Sequence, residues 1–135
     1  VLPAKENDVR PKELLYSETH EWVKVNGGVA TVGITDHAVE HLSDLVYIEL
    51  PRKGDRVTRG QPFGTIESVK AVSDLNAPVT GTIVEVNDGL ADQLDILAGD
   101  PFGSGWLLKI ELGDASELEA LVSPTSYEEI LARES

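Results

Sequence analysis

Cysteine and methionine are both absent, aromatic side chains make up only 5% of the 135 residues, and basic residues are outnumbered by acidic ones, 11 to 24. Without cysteine there is no disulfide framework, no thiolate nucleophile and no cysteine-based zinc or iron–sulfur centre. Any redox or sulfur chemistry must then be carried on an attached group. The net charge of −13 repels phosphate backbones and anionic lipid, so neither nucleic acid nor a membrane surface is an expected partner. No apolar run is long enough to span a bilayer. The first fifteen residues mix Lys5, Arg10 and Lys12 with Glu6, Asp8 and Glu13, unlike a signal or transit peptide. A soluble chain is the expectation. Its hydrophobic fraction of 41% is enough for one core.

Residues 1–15, with Pro3 and Pro11 among charges, read as an extended lead-in, and residues 16–135 as the domain. Trp22–Val25 and Val29–Val32 are β-branched runs joined through Asn26-Gly27-Gly28, the composition of a tight hairpin. Thr35 is placed to cap a two-turn helix over about residues 36–43, with Ala38, Val39 and Leu42 on one side. Strand signals return at Val46–Leu50, Phe63–Ile66, Val72–Asn76, Val79–Val86 and Trp106–Glu111, punctuated by glycine and proline. Residues 90–97 have mixed periodicity compatible with a short helix. Asp114 with Glu117, and Ser126 with Glu129, have capping-box spacing and predict two short closing helices. The pattern predicts a mainly β fold: a flattened barrel or sandwich of two small antiparallel sheets with short peripheral and C-terminal helices.

Residues 60–81 are nearly mirror-symmetric about the Lys70-Ala71 bond: Val69 mirrors Val72, Ser68 mirrors Ser73, Glu67 mirrors Asp74 and Ile66 mirrors Leu75. In a hairpin with a two-residue loop, such pairs would be directly opposed, with Ile66 and Leu75 inward and Lys70 at the tip. Opposing Glu67 to Asp74 would cost a few tenths of a kcal/mol, on the order of other like-charge pairs. An exposed lysine, with an ordinary pKa of about 10.4, is an ammonium ion and a poor nucleophile at neutral pH. Lys70 is therefore read as a handle that another enzyme acylates, not as a catalytic amine.

Other chemical candidates are weaker. His37-Ala38-Val39-Glu40-His41 fits the H-x-x-E-H pattern of inverted zinc proteases, but such an enzyme needs a third ligand and a substrate cleft, whereas this helix is too short to be a buried scaffold and the rest of the chain reads as a small β sandwich. No metal site is expected. Asp88–Asp92 lacks calcium-loop spacing, and Gly103-Ser104-Gly105 lacks the context of a phosphate loop or nucleophile elbow. His20, beside Glu21 and Trp22, reads as part of indole packing. With no nucleophile, acid–base pair or metal set, the chain is not expected to be an enzyme.

The window Ile66–Asp74 resembles the lipoyl-attachment hairpin of the glycine cleavage system H-protein family. Thr19-His20-Glu21-Trp22-Val23, Val32–Ala38, Val46–Pro51, Ala77–Gly81, Val84–Asn87 and Asp100–Leu107 resemble the same family in the same order, covering about residues 16–133. The resemblance implies the lipoyl and biotinyl carrier fold and a lipoate held in amide linkage on Lys70. A biotin cargo is disfavoured, since the biotin lysine typically stands between methionines. The implied function is to shuttle the aminomethyl group of glycine from a pyridoxal-phosphate glycine decarboxylase to a tetrahydrofolate-dependent aminomethyltransferase. A dihydrolipoamide dehydrogenase then reoxidises the arm. The alternative is an H-like lipoate carrier in sulfur oxidation or lipoate relay.

Carried over residue by residue, the family's arm-docking cleft implies roles for Thr19, Glu21 and Asp74, and Glu67 becomes a candidate for recognition by the lipoate-attaching enzyme. The implied compartment is the cytoplasm in bacteria or the mitochondrial matrix in eukaryotes, and the implied state is a monomer. The chain departs from the family at Ile96-Leu97-Ala98-Gly99 and at Ser43, where glycine is common.

Overall fold

The structure is a computed structural model that describes residues 10–134. Nine strands form two antiparallel sheets. Strands β1 (Leu15–Tyr16), β2 (Glu21–Asn26), β3 (Val29–Ile34), β5 (Arg56–Val57), β8 (Gly81–Val86) and β9 (Leu108–Leu112) make the larger sheet, in the order β1-β2-β3-β9-β8-β5. Strands β4 (Leu45–Glu49), β6 (Pro62–Ser68) and β7 (Val72–Asn76) make the smaller one, in the order β4-β6-β7. The helices are α1 (Asp36–Leu42), α2 (Leu94–Gly99) and α3 (Pro124–Glu134), with 3-10 turns at Asp88–Asp92 and Ala115–Ala120. This is the expected mainly β architecture of two sheets with short helices; the sheets do not close into a barrel. No helix among the described residues is long and apolar enough to cross a membrane.

The glycine-rich turn between β2 and β3 forms as expected. Asn26 pairs with Val29, and Gly27 adopts φ 62, a left-handed conformation that costs glycine little. Alternation along the strands sends Val23, Ala30, Val32, Ile66, Leu75, Ile83, Leu108 and Ile110 into one buried core between the sheets. A second cluster buries Leu14, Tyr16, Trp22 and Tyr127. There the Tyr16 and Tyr127 rings stack at 4.9 Å and the Trp22 indole donates to the Pro101 carbonyl at 2.9 Å. Of the expected lead-in, residues 1–9 lie outside the described residues. Arg10 pairs with Asp36 at 3.0 Å and with Glu128, tying the chain ahead of β1 to α1 and α3.

Local caps decide the helices. The Thr35 hydroxyl accepts from the Ala38 N–H at 3.3 Å, as expected for α1. At its C-terminal end Ser43 takes φ 73 and ψ −133, a conformation that glycine adopts freely and a residue with a Cβ adopts only under strain. Ser43→Gly is expected to raise unfolding stability by about 1 kcal/mol, strain relief exceeding the added chain entropy. Urea denaturation measures it, and a destabilised variant would contradict it.

Neither expected capping box forms. Helix α3 begins at Pro124, with Ser123 Oγ accepting from the Ser126 N–H at 3.2 Å, so Ser126 is inside the helix and not its cap. Asp114 does cap its turn through Ser116, but Glu117 does not close a capping box. Its carboxylate instead accepts from the Thr80 N–H at 2.6 Å and the Thr80 hydroxyl at 2.8 Å, fastening the turn to the start of β8. The expected strand at Trp106 begins later, at Leu108, because the Trp106 carbonyl accepts from the Asn87 side chain at 2.8 Å.

Candidate functional site

Strands β6 and β7 form the expected hairpin, but its register differs from the mirror pattern of the sequence. Glu67 pairs with Val72, Ile66 with Ser73 and Thr65 with Asp74. The loop is therefore Val69-Lys70, closed by the Ser68 N–H to Ala71 carbonyl bond at 2.8 Å, and not Lys70-Ala71. Two anchors select this register. The buried Ser68 hydroxyl accepts from the Ala71 N–H at 3.1 Å and the Lys70 N–H at 3.3 Å. The Val69 N–H reaches across to the Asp44 carbonyl at 3.0 Å, just ahead of β4. A loop centred on Lys70-Ala71 would lose both. Glu67 and Asp74 consequently sit diagonally, two residues out of opposition, and the like-charge cost expected for a directly facing pair does not arise.

Ile66 and Leu75 face inward as expected and are almost fully buried. Lys70 is exposed at the tip, and among the described residues no carboxylate lies within ion-pair distance of its ammonium. Around it stand apolar side chains that the core does not use: Val69 and Val72 are each 68% exposed, Val46 53% and Tyr47 49%. Glu67 lies between Tyr47 and Val72 across the three strands of the small sheet. An amine raised on a rigid turn amid exposed apolar surface is a shape another enzyme can seat.

A cleft of about 400 Å³ runs beside the hairpin, between β7 residues Val72 and Ser73 on one side and α1 on the other, with Thr19 and three histidines, His20, His37 and His41, in its walls. Of the three residues assigned to arm docking by resemblance, only Thr19 lines this cleft. Glu21 is 1% exposed, beneath it. Its carboxylate accepts from the Ser17 hydroxyl at 2.7 Å, from the Thr19 hydroxyl and from the Asn76 N–H at 3.3 Å. Asp74 is exposed on β7, two residues before Asn76.

Burial pushes the Glu21 carboxyl above its ordinary pKa of 4.5, partly opposed by these hydrogen bonds. Folding thus holds the Glu21 proton more tightly than the unfolded chain does. The stability this contributes is complete below about pH 4 and is lost as pH rises through the folded pKa. Glu21→Gln removes that loss, so stability relative to the wild type is expected to improve from about pH 4 to pH 7. Urea unfolding at both values tests this; a difference that is flat or runs the other way would contradict it.

The histidines meet in a way the local motif does not show. His20 takes φ 75, held by its N–H to the Ser17 carbonyl at 3.1 Å and by its carbonyl accepting from Thr35 at 3.0 Å. Its Nδ1 lies 2.7 Å from the Tyr127 hydroxyl, which also meets the Thr35 hydroxyl at 2.7 Å. Its Nε2 is 3.2 Å from a Glu134 oxygen, and His37 Nε2 is 3.9 Å from the same oxygen. Desolvation lowers the His20 pKa, with Glu134 opposing. Sequence reasoning missed this grouping because His20 and Glu134 come from opposite ends of the chain.

A sequence profile described as glycine cleavage H-protein matches residues 14–134. The chain belongs to this family. It is 48% identical over 126 residues to the glycine cleavage system H protein of Carboxydothermus hydrogenoformans, covering 93% of this chain and 97% of that one. It is also 48% identical to the mitochondrial H protein 2 of Arabidopsis thaliana, over 91% of this chain and 79% of that one. Among solved structures, the H protein of Mycobacterium marinum superposes with a TM-score of 0.81 at 38% identity, covering 91% of this chain and 99% of that one. The role expected from the sequence, that of the H protein in glycine cleavage, is the one this membership supports. The relatives bear that name and not the name of a sulfur-oxidation or lipoate-relay carrier.

Proposed function

We propose that Lys70 bears lipoate in amide linkage and that the chain serves glycine cleavage as a mobile carrier, without catalysing a step itself. The observation that carries this reading is the geometry of the tip: an exposed amine, unpaired among the described residues, on a turn fixed by Ser68 and Asp44, at the rim of a cleft large enough to receive an arm. Lys70 would hold the lipoate through its amine, and the group would supply a redox-active disulfide able to carry an aminomethyl group. The cysteine-free chain has no sulfur of its own to do so.

The chain's own residues present and shelter the arm. Val69, Val72 and Tyr47 give the lipoate-attaching enzyme an apolar seat, and Glu67 between them gives it one charged contact. In the cleft, the Thr19 hydroxyl donates to Glu21, which leaves its oxygen free to accept from an ammonium. Glu21 polarises that hydroxyl from below, and Asp74 offers a solvated carboxylate on the adjacent strand. Walls of Leu42 and Val72 exclude water from a group lodged there. The partners of this reading are the glycine decarboxylase, the aminomethyltransferase, the dihydrolipoamide dehydrogenase and the lipoate-attaching enzyme.

Reconstitution tests the reading. Lipoylated chain with purified decarboxylase and aminomethyltransferase is expected to support exchange of the glycine carboxyl carbon with bicarbonate, and unlipoylated chain is not. Equal exchange with both forms, or none with either, would refute it.

A further inference from the structure

We propose that His20, His37 and Glu134 form a binding site for a borderline divalent cation of the Zn²⁺ class. Their ligating atoms all lie within 4.8 Å of one another, with His20 Nε2 and His37 Nε2 at 3.2 and 3.9 Å from the same Glu134 oxygen. Nitrogen and oxygen ligands about 2.0–2.1 Å from a tetrahedral zinc stand about 3.3–3.4 Å apart. The gap between the present arrangement and a closed one is therefore a side-chain rotation. The two residues that must move are the freer ones, since the His37 and Glu134 side chains are 34% and 44% exposed.

His20 is the fixed member. Its backbone is held at φ 75 by bonds to Ser17 and Thr35, and the Tyr127 hydroxyl, 2.7 Å from Nδ1, sets the plane of the ring and aims Nε2 at Glu134. A ligating imidazole whose other nitrogen is engaged by an oriented partner is the usual arrangement of a protein metal site. The neutral imidazole is the form that binds metal.

Two imidazoles and one carboxylate select Zn²⁺, Co²⁺ or Ni²⁺ over Mg²⁺ and Ca²⁺, which prefer oxygen. The chain's net charge of −13 raises the local concentration of any cation. Three protein ligands leave a coordination position unfilled, and all three line the cleft that Val72 and Ser73 border, so that position is accessible from the cleft. The site is not the one the H-x-x-E-H spacing describes. His41 stacks on His37 at 6.2 Å and stands outside the three-residue group, and Glu40 is exposed. The inference does not depend on the lipoyl reading, and chain that carries nothing on Lys70 is the sample to use.

Calorimetric titration of ZnCl2 into metal-stripped chain is expected to show one saturable site. His37→Ala and Glu134→Gln, both at partly exposed positions, are expected to weaken it by about tenfold or more. Tyr127→Phe, which removes only the hydroxyl that orients His20, is expected to weaken it by about tenfold, with His37 still contributing. His41→Ala is expected to leave the affinity unchanged. In carbon-edited NMR spectra the ring signals of His20 and His37 should move together at one equivalent of ZnCl2. Absence of saturable binding, or wild-type affinity in both His37→Ala and Glu134→Gln, would overturn the proposal. So would zinc-induced shifts confined to His41.

Discussion

Lys70→Arg is expected to abolish lipoylation completely while leaving the thermal unfolding midpoint unchanged. The guanidinium keeps the positive charge and the length of the side chain, but it is not acylated by an enzyme that transfers an acyl group to a primary amine. Nothing in the fold depends on the ammonium. Lys70 is exposed, has no ion-pair partner among the described residues, and contributes only its backbone N–H to the turn, which arginine retains. Intact-mass spectrometry after expression in a lipoate-supplied host reads the adduct, and a thermal melt reads the fold. Exchange of the glycine carboxyl carbon should fall to the level of unmodified chain. A variant that still carries the adduct would remove Lys70 from its assigned role. A variant that loses both adduct and midpoint would show that the lysine holds the turn together.

A large structural effect is expected at Gly64. In β6 its backbone passes so close to β4 that an added Cβ would lie 2.2 Å from the Glu49 carbonyl oxygen and 3.3 Å from its carbon. That oxygen is main chain in a paired strand and cannot swing aside as a flexible side chain would. Gly64→Ala must therefore push β4 and β6 apart near the Glu49–Thr65 pair, at a cost of about 3 kcal/mol. The same sheet holds the Asp44 carbonyl that fixes Val69, so the tip should loosen and lipoylation slow. Gly89→Ala is the matched control, since a Cβ there meets nothing within 4 Å. Urea unfolding should separate the two variants clearly. Equal stability would mean that the small sheet tolerates the displacement.

What the sequence discloses and what it withholds follows the range of the interactions involved. The β2–β3 hairpin is legible because its turn residues and register are local, and α1 because Thr35 caps it three residues away. Lys70 at a hairpin tip is legible for the same reason. The register of that hairpin is not, because Asp44, 25 residues upstream of Val69, contributes to deciding it, and symmetry in the sequence favours a pairing two residues away. Glu117 has the spacing of a capping residue, and only the tertiary fold sends it to Thr80 instead. The burial of the Glu21 carboxylate beneath Thr19 follows from how the strands pack and is not encoded by its local sequence. The histidine–glutamate group needs α3 folded back over β2 and α1, which no local spacing encodes.

The bent turn at residues 68–71 offers its lysine outward while the neighbouring apolar side chains frame it, and the central claim is that this one amine is the acceptor. Peptide mapping by mass spectrometry, after treatment with a lipoate-attaching enzyme and lipoate, tests it directly. One adduct per chain, confined to the peptide that contains Lys70, is the result expected. An adduct on Lys5, Lys12, Lys24, Lys53 or Lys109, or an unmodified Lys70 in protein that supports glycine cleavage, would contradict it.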